Sequence, residues 1–373
     1  MNRWYRLYFV VIAGFFGVLG LVTALRPAKT FSPNENRVLQ KFPTLSWQAL
    51  ADGSYQEDVE KAASDQIPGR NTWTKAASLS KRSLGQKDIN GVYLGKDRYF
   101  ITKQTEEDVD KFQYMENLRY VEYLANNING KTGLLLVPST GSVLQENLPK
   151  YAPFYRAESM NQAAKTVCED AQVVDLLTDM RDAAQEEQVY YRTDHHWTLQ
   201  GAYVGYSAFC KAFGLQSRPY EQFAPKKVTD SFLGTLQSKV LYTDHNQDNI
   251  YAITKECGTT SVECDGKSKK SIYEKSKLSE KDKYGYFFGG NYGRVTLKTN
   301  AGTKKSLIVF KDSFANCFVP FLLEQYDEIT MIDLRYYRNS VKSILQQYNN
   351  SDCLVLYEMS NFAGDSNIWK LTK

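Results

Sequence analysis

Histidine is nearly missing from this chain of 373 residues, which contains three: His195, His196 and His245. That scarcity argues against a two-metal phosphoesterase, whose site needs several Asp and His ligands. His245 brings only Asp244 and Asp248 with it, in a polar loop. The six cysteines, Cys168, Cys210, Cys257, Cys264, Cys317 and Cys353, form no CxxC and no Cys/His spacing of a zinc site. Cys257 and Cys264 flank a short segment and are the best candidates for a disulfide outside the cell. Free, partly buried thiols account for the six at least as well. An excess of one charge sign is also lacking: 46 basic against 42 acidic residues leave a net charge of +4. Nothing in that balance points to nucleic acid. The composition implies no metal and no cofactor.

Long apolar runs are absent except at the start. Leu7 to Leu25 carries no charge over about 19 residues, close to the ~20 that cross a bilayer. The run is longer than the ~7–15-residue core of a cleaved signal peptide, and no clear small-x-small site follows it. It reads as a signal anchor, residues 7–25, behind a tail of residues 1–6. Arg3 and Arg6 precede it and Arg26 and Lys29 follow, so flanking charge does not set its orientation. Residues 26–60 read as a stalk or linker, because Pro27, Pro33 and Pro43 interrupt any helix. The rest, 61–373, reads as one α/β domain.

Within that domain the spacing predicts a turn at Asp65–Arg70 leading into a helix. Two short strands are expected within Asn90–Phe100, with a turn at Gly95–Asp97, then a helix from Glu106 to Asn126. Gly133–Val137, Val173–Asp175, Ser306–Phe310, Glu328–Asp333 and Cys353–Tyr357 are short apolar runs that read as strands. Helices are expected over Ala157–Cys168, Thr198–Phe213, Phe318–Glu324 and Ser340–Tyr348. Strands alternating with helices imply a parallel sheet flanked by helices. Residues 218–300 break the rhythm and read as a β-rich insertion. Its stretch Asp265–Lys283 holds seven lysines against four acids. That reads as a solvated loop, with contact to an anionic polymer or lipid head group as the alternative.

Two segments carry chemistry. In Asp194-His195-His196-Trp197-Thr198 the pair Asp194 and His196 is two residues apart, so both side chains fall on one side of an extended segment. In Lys311-Asp312-Ser313-Phe314, Ser313 follows a buried strand where a helix begins, and ligands gather at that edge of an α/β sheet. A serine hydroxyl needs a base to become a nucleophile, and the base needs an orienting group. Ser313, His196 and Asp194 can fill those roles. A helix-capping serine is the alternative. His195 is expected to point away, as a structural residue or a substrate contact. Trp197 is expected to pack.

Together these motifs resemble the SGNH-like alginate O-acetyltransferase group, and within it the DHHW family. The resemblance extends to Glu35-Asn36-Arg37, Asp65–Arg70, Tyr93–Tyr99, Lys311–Phe321 and Asp333–Tyr337. It implies an SGNH hydrolase-like α/β fold, circularly permuted, since the Asp–His pair precedes the serine. It also implies an extracytoplasmic enzyme, single-pass in the cell membrane, in which Ser313 is acetylated with His196 as base and Asp194 as orienter. The acetyl group would pass to a cell-surface polysaccharide or to water. A multi-spanning membrane acyltransferase would be the partner that delivers it. Lys311 departs from the glycine usual in the group. The oxyanion-hole residues match no motif here. Asn361 and Ser139, after two strands, are the candidates, with strand-end capping as the alternative. A DHHC palmitoyl transferase is excluded, because Trp197 replaces its cysteine. The remaining alternative is an inactive, membrane-anchored polysaccharide-binding or scaffold protein of the cell envelope.

Overall fold

In the computed structural model the described residues are 3–32, 37–241, 247–254 and 258–373. Glu35, Asn36, His245 and Cys257 lie outside them, and with them part of the first resemblance segment and one partner of the candidate disulfide. Cys168, Cys210, Cys264, Cys317 and Cys353 are free and buried.

The chain divides into two compact units. The first comprises residues 1–89 and 237–244. It starts with the helix Arg3–Leu25, long and apolar enough to cross a membrane and with no buried residue. A short ladder pairs Phe31 with Val38. Three helices follow, Trp47–Ala51, Ser54–Gln66 and Arg70–Ser83. Asp65 closes this unit locally, accepting from the Gln40 N–H at 2.8 Å and facing the Arg70 guanidinium at 3.4 Å. Gly69 makes the turn at φ +70°, a conformation that excludes most side chains.

The second unit, residues 90–236 and 245–373, is built on an eight-stranded sheet. In chain order its strands are β1 (Thr132–Val137), β2 (Gln172–Asp175), β3 (Thr259–Cys264), β4 (Lys267–Lys269), β5 (Arg294–Thr299), β6 (Ser306–Lys311), β7 (Glu328–Ile332) and β8 (Asp352–Glu358). The spatial order is β4-β3-β5-β7-β6-β8-β1-β2. From β7 to β2 all neighbours are parallel. Nearly every residue of β1, β6 and β8 is buried, as expected where both faces of a parallel sheet are covered. The helices Lys111–Asn126 and Leu199–Phe213 pack on β1.

The β-rich stretch expected between the strands is divided. Pro225–Phe232 and Asp248–Ile253 form a separate antiparallel pair. By contrast, β3, β4 and β5 extend the central sheet as an antiparallel edge. Two helices differ from expectation. The one expected from Glu106 starts at Lys111, because Asp108 folds back on Thr105 and Asp110 caps the helix through the Gln113 N–H. The one expected over Phe318–Glu324 is a four-residue turn, Ala315–Phe318, followed by a 3-10 turn, Val319–Leu322. Pro320 has no N–H to give the Asn316 carbonyl, so the turn Ala315–Phe318 does not continue as an α-helix.

Candidate active site

Ser313 stands two residues beyond β6, at the carboxyl edge of the sheet. β6 lies between β7 and β8, so the serine is presented from the middle of the parallel strands. Its turn is held by the side chain before it. The Asp312 carboxylate accepts from the Phe314 N–H at 2.9 Å, the Glu358 N–H at 2.9 Å and the Asn361 amide at 2.8 Å.

The DHHW segment reaches the same place from a tight loop. Tyr190 bridges Trp197, and Thr198 caps the helix Leu199–Phe213 through the Gly201 N–H. Asp248 anchors the loop by accepting from the N–H groups of Arg192 and Thr193 and from the Thr193 hydroxyl. Trp197 is buried and donates its indole N–H to the Phe314 carbonyl at 3.0 Å, fastening this loop to the serine turn. Its ring stacks on Phe318. Gly205 admits that ring, since a Cβ there would lie 2.9 Å from it.

The three sequence candidates meet in a line. His196 Nε2 is 2.7 Å from Ser313 Oγ, and His196 Nδ1 is 2.6 Å from Asp194 Oδ1. An ionised carboxylate only accepts, so Nδ1 carries the proton. Nε2 then offers its lone pair, and the serine hydroxyl donates to it. Asp194 is buried, and burial alone would raise its pKa. The facing charges of His195 and His196, with hydrogen bonds from His196 and the Thr235 N–H, outweigh that and hold the carboxyl far below its ordinary value. Its second oxygen takes the Thr235 N–H at 2.7 Å and hydroxyl at 3.0 Å. Gly234 makes this approach possible: a Cβ there would fall 2.2 Å from the Asp194 Cβ.

His195 does not point away. Residues 192–196 are a series of bends rather than an extended strand, so the two-residue alternation does not apply. Its ring lies 4.0 Å from that of His196, and Nδ1 contacts the Thr235 hydroxyl at 2.7 Å. Asp194, His195 and His196 bring ligand atoms within 4.8 Å of one another, close enough for a cation. Both ring nitrogens of His196, however, already have protein partners.

Asn361 sits on Asp312, and its amide carries a second N–H. The Ser139 hydroxyl receives the Tyr155 hydroxyl at 3.1 Å and pairs with Ser142 at 3.2 Å. Lys311 is buried, with its ammonium 2.9 Å from the Asn316 carboxamide oxygen and 3.9 Å from Asp333. Burial draws its pKa down to about 8, against the opposing pull of Asp333. Sequence reasoning missed Thr235 and Tyr284. The Tyr284 ring stacks on the His196 imidazole at 3.9 Å, and its hydroxyl donates to the Ser313 carbonyl at 3.2 Å. Among 26 tyrosines nothing singles it out. The Gly-Thr pair at 234–235 was the one available sign of a close backbone approach.

An α/β sheet with a Ser–His–Asp line at its carboxyl edge has the form of an acyl-transfer enzyme. Comparison with known proteins narrows the class. Residues 152–332 match the DHHW protein family, and the resemblance read from the sequence is borne out. The chain is 25% identical over 239 residues to the probable alginate O-acetylase AlgJ of Pseudomonas syringae pv. tomato, covering 61% of this chain and 58% of that one. It is 26% identical over 186 residues to the protein of the same name from Pseudomonas putida, covering 48% of each. The match thus spans less than two thirds of these curated relatives' length. A DHHW family protein from Eubacterium siraeum superposes with a TM-score of 0.67 at 20% identity, over 76% of this chain and 96% of that one. Bacillus cereus PatB1 with a sulfonyl adduct gives 0.62 at 23%, over 76% and 98%. These likenesses establish the fold.

Proposed function

We propose that this chain is a membrane-anchored, extracytoplasmic serine enzyme that transfers acetyl groups to, or removes them from, a cell-surface polysaccharide. The observation that carries the reading is the unbroken hydrogen-bond line Ser313–His196–Asp194. The similarity to proteins named alginate O-acetylase supports polysaccharide O-acetyl chemistry, and the apolar helix Arg3–Leu25 supports the anchor.

In the proposed reaction His196 Nε2 takes the Ser313 proton as Oγ attacks the carbonyl carbon of an acetyl donor. The tetrahedral intermediate collapses when His196 returns the proton to the leaving oxygen, and Ser313 is left as its acetyl ester. A sugar hydroxyl or water then gives its proton to Nε2, attacks the acetyl carbon and regenerates the serine. Asp194 holds the imidazole in the tautomer that can accept, and stabilises the imidazolium that forms. In this scheme the second N–H of Asn361 and the Ser139 hydroxyl are candidate oxyanion donors, and His195 is a substrate contact. A multi-spanning acyltransferase is the proposed acetyl source.

The test uses the full chain in detergent with a small acetyl ester, with and without a sugar oligomer. Ser313→Ala is expected to lower acetate release by about 10³-fold or more and to abolish labelling by a sulfonyl fluoride. Its circular dichroism should match the wild type. Acetylated oligomer assigns transfer, and acetate alone assigns esterase action. Equal activity in Ser313→Ala, or a wild type inert with every acetyl donor and unlabelled by the reagent, sinks the reading in favour of a polysaccharide-binding module.

A further inference from the structure

Glu358 closes β8, and its side chain is buried beside the serine turn. One oxygen, Oε2, accepts the Asn361 N–H at 2.8 Å and the Ser360 hydroxyl. The other, Oε1, has no hydrogen-bond partner although it is buried. Asn361 in turn gives its amide to Asp312 Oδ2, which also receives the Glu358 N–H. Asp312 Oδ1 takes the Phe314 N–H, and so spans the residue between them, Ser313. The result is a continuous chain of hydrogen bonds from Glu358 to the backbone that flanks the proposed nucleophile. The Gln104 amide continues it outward, donating to the Ser360 hydroxyl.

We propose that Glu358 is a positioning residue for Ser313, acting through Asn361 and Asp312. The proposal rests on the reading of Ser313 as nucleophile and extends it to a carboxyl group that does not touch the reacting atoms. A buried polar oxygen left without a partner is costly. Retaining one at the end of β8 is understandable if the other oxygen of the same group fixes something that matters. Asp312, Tyr155 and Tyr190 are titratable groups that act on the carboxyl. None of them is a cation. Burial pushes Glu358 up to about 7, and Asp312 adds to the rise against the hydrogen bonds from Ser360 and Asn361. Near neutrality the proton can reside on the unpartnered Oε1, leaving Oε2 to accept. Glutamine reproduces that form, with its amide nitrogen in place of Oε1.

The experiment measures kcat and KM for acetyl ester hydrolysis by the full chain in detergent. Glu358→Ala is expected to lower kcat by about 10- to 100-fold, as small misplacements of reacting groups do, with KM changed less than about twofold. Glu358→Gln is expected to restore kcat to within about threefold of the wild type. Asn361→Ala combined with Glu358→Ala should cost no more than the larger single loss, because both act through one chain of contacts. Glu358→Leu, which keeps the bulk and removes the acceptor, serves if the alanine variant does not fold. An unchanged kcat in the folded Glu358 variants, a Gln variant as poor as Ala, or additive losses with Asn361→Ala each overturn the proposal. A wild type inert toward every ester overturns it together with the function it rests on. Activity that depends on Ser313 but not on Glu358 overturns this proposal alone.

Discussion

Asp194 and Glu358 are both carboxyl groups buried at the carboxyl edge of one sheet, yet their surroundings drive them in opposite directions. Four hydrogen bonds reach Asp194, from His196 and Thr235, and two imidazoles face it. Glu358 has an orphan oxygen, and Asp312 is the carboxylate that acts on it. The first is held as an anion far below its ordinary pKa, and the second is raised to about 7. Burial is common to both, so what decides is first the charge that faces each group, two imidazoles at Asp194 and a carboxylate at Glu358, and then the donors delivered to it. At Asp194 the delivery depends on Gly234, which lets the Thr235 N–H and hydroxyl come close.

The sharpest way to break this contrast is Asp194→Asn. The amide can no longer fix the His196 tautomer as a carboxylate does, and kcat on an acetyl ester should fall about 10³- to 10⁴-fold. The melting temperature would show whether the fold survives. A loss under about tenfold would mean that Asp194 is structural.

A smaller effect, in stability, is expected at Glu358. Its folded pKa is raised above the ordinary 4.5 to about 7. The folded state therefore keeps a proton that the unfolded state gives up. The associated stability is fully present below about pH 4.5 and is lost as pH rises through 7. Glu358→Gln removes that loss. Relative to wild type it should gain about 3 kcal/mol at pH 8 and little at pH 4. Denaturant titrations at the two pH values check the sign, and a gain independent of pH would count against the raised pKa.

The smallest effect is expected at Thr235→Val, which removes one donor to Asp194 and the hydroxyl partner of His195 while keeping the backbone N–H. A hydrogen bond to a charged group is worth about 1.5–3 kcal/mol, and the N–H that stays moderates the loss to about tenfold in kcat/KM. Steady-state kinetics would expose the difference, and a loss rivalling that of Asp194→Asn would show that the N–H alone cannot hold the carboxylate.

What could be read in advance follows a physical line. Leu134–Val137 and Ser306–Phe310 are short, continuous apolar runs, and such runs become central parallel strands. Asp194 and His196 stood out because histidine is rare, and Ser313 because it ends a buried strand. Thr235, Tyr284 and Glu358 were hidden, since each owes its place to tertiary contacts from elsewhere in the chain. The place of β3 and β5 was hidden too: in a stretch read as β-rich, their alternating, half-buried pattern suits the antiparallel flank of a central sheet and a separate hairpin equally. His195 was misplaced because alternation was applied to a loop of bends.

The position of β6 has a consequence for the order of assembly. This strand pairs with β7 on one side and β8 on the other, and both are synthesised after it. The bonds that hold Asp312 come from Glu358 and Asn361, almost at the end of the sequence. A chain still emerging from the ribosome would thus carry Asp194, His196 and Ser313 without the frame that aligns them. On the function proposed above, activity toward esters would therefore appear only once β8 has docked beside β6.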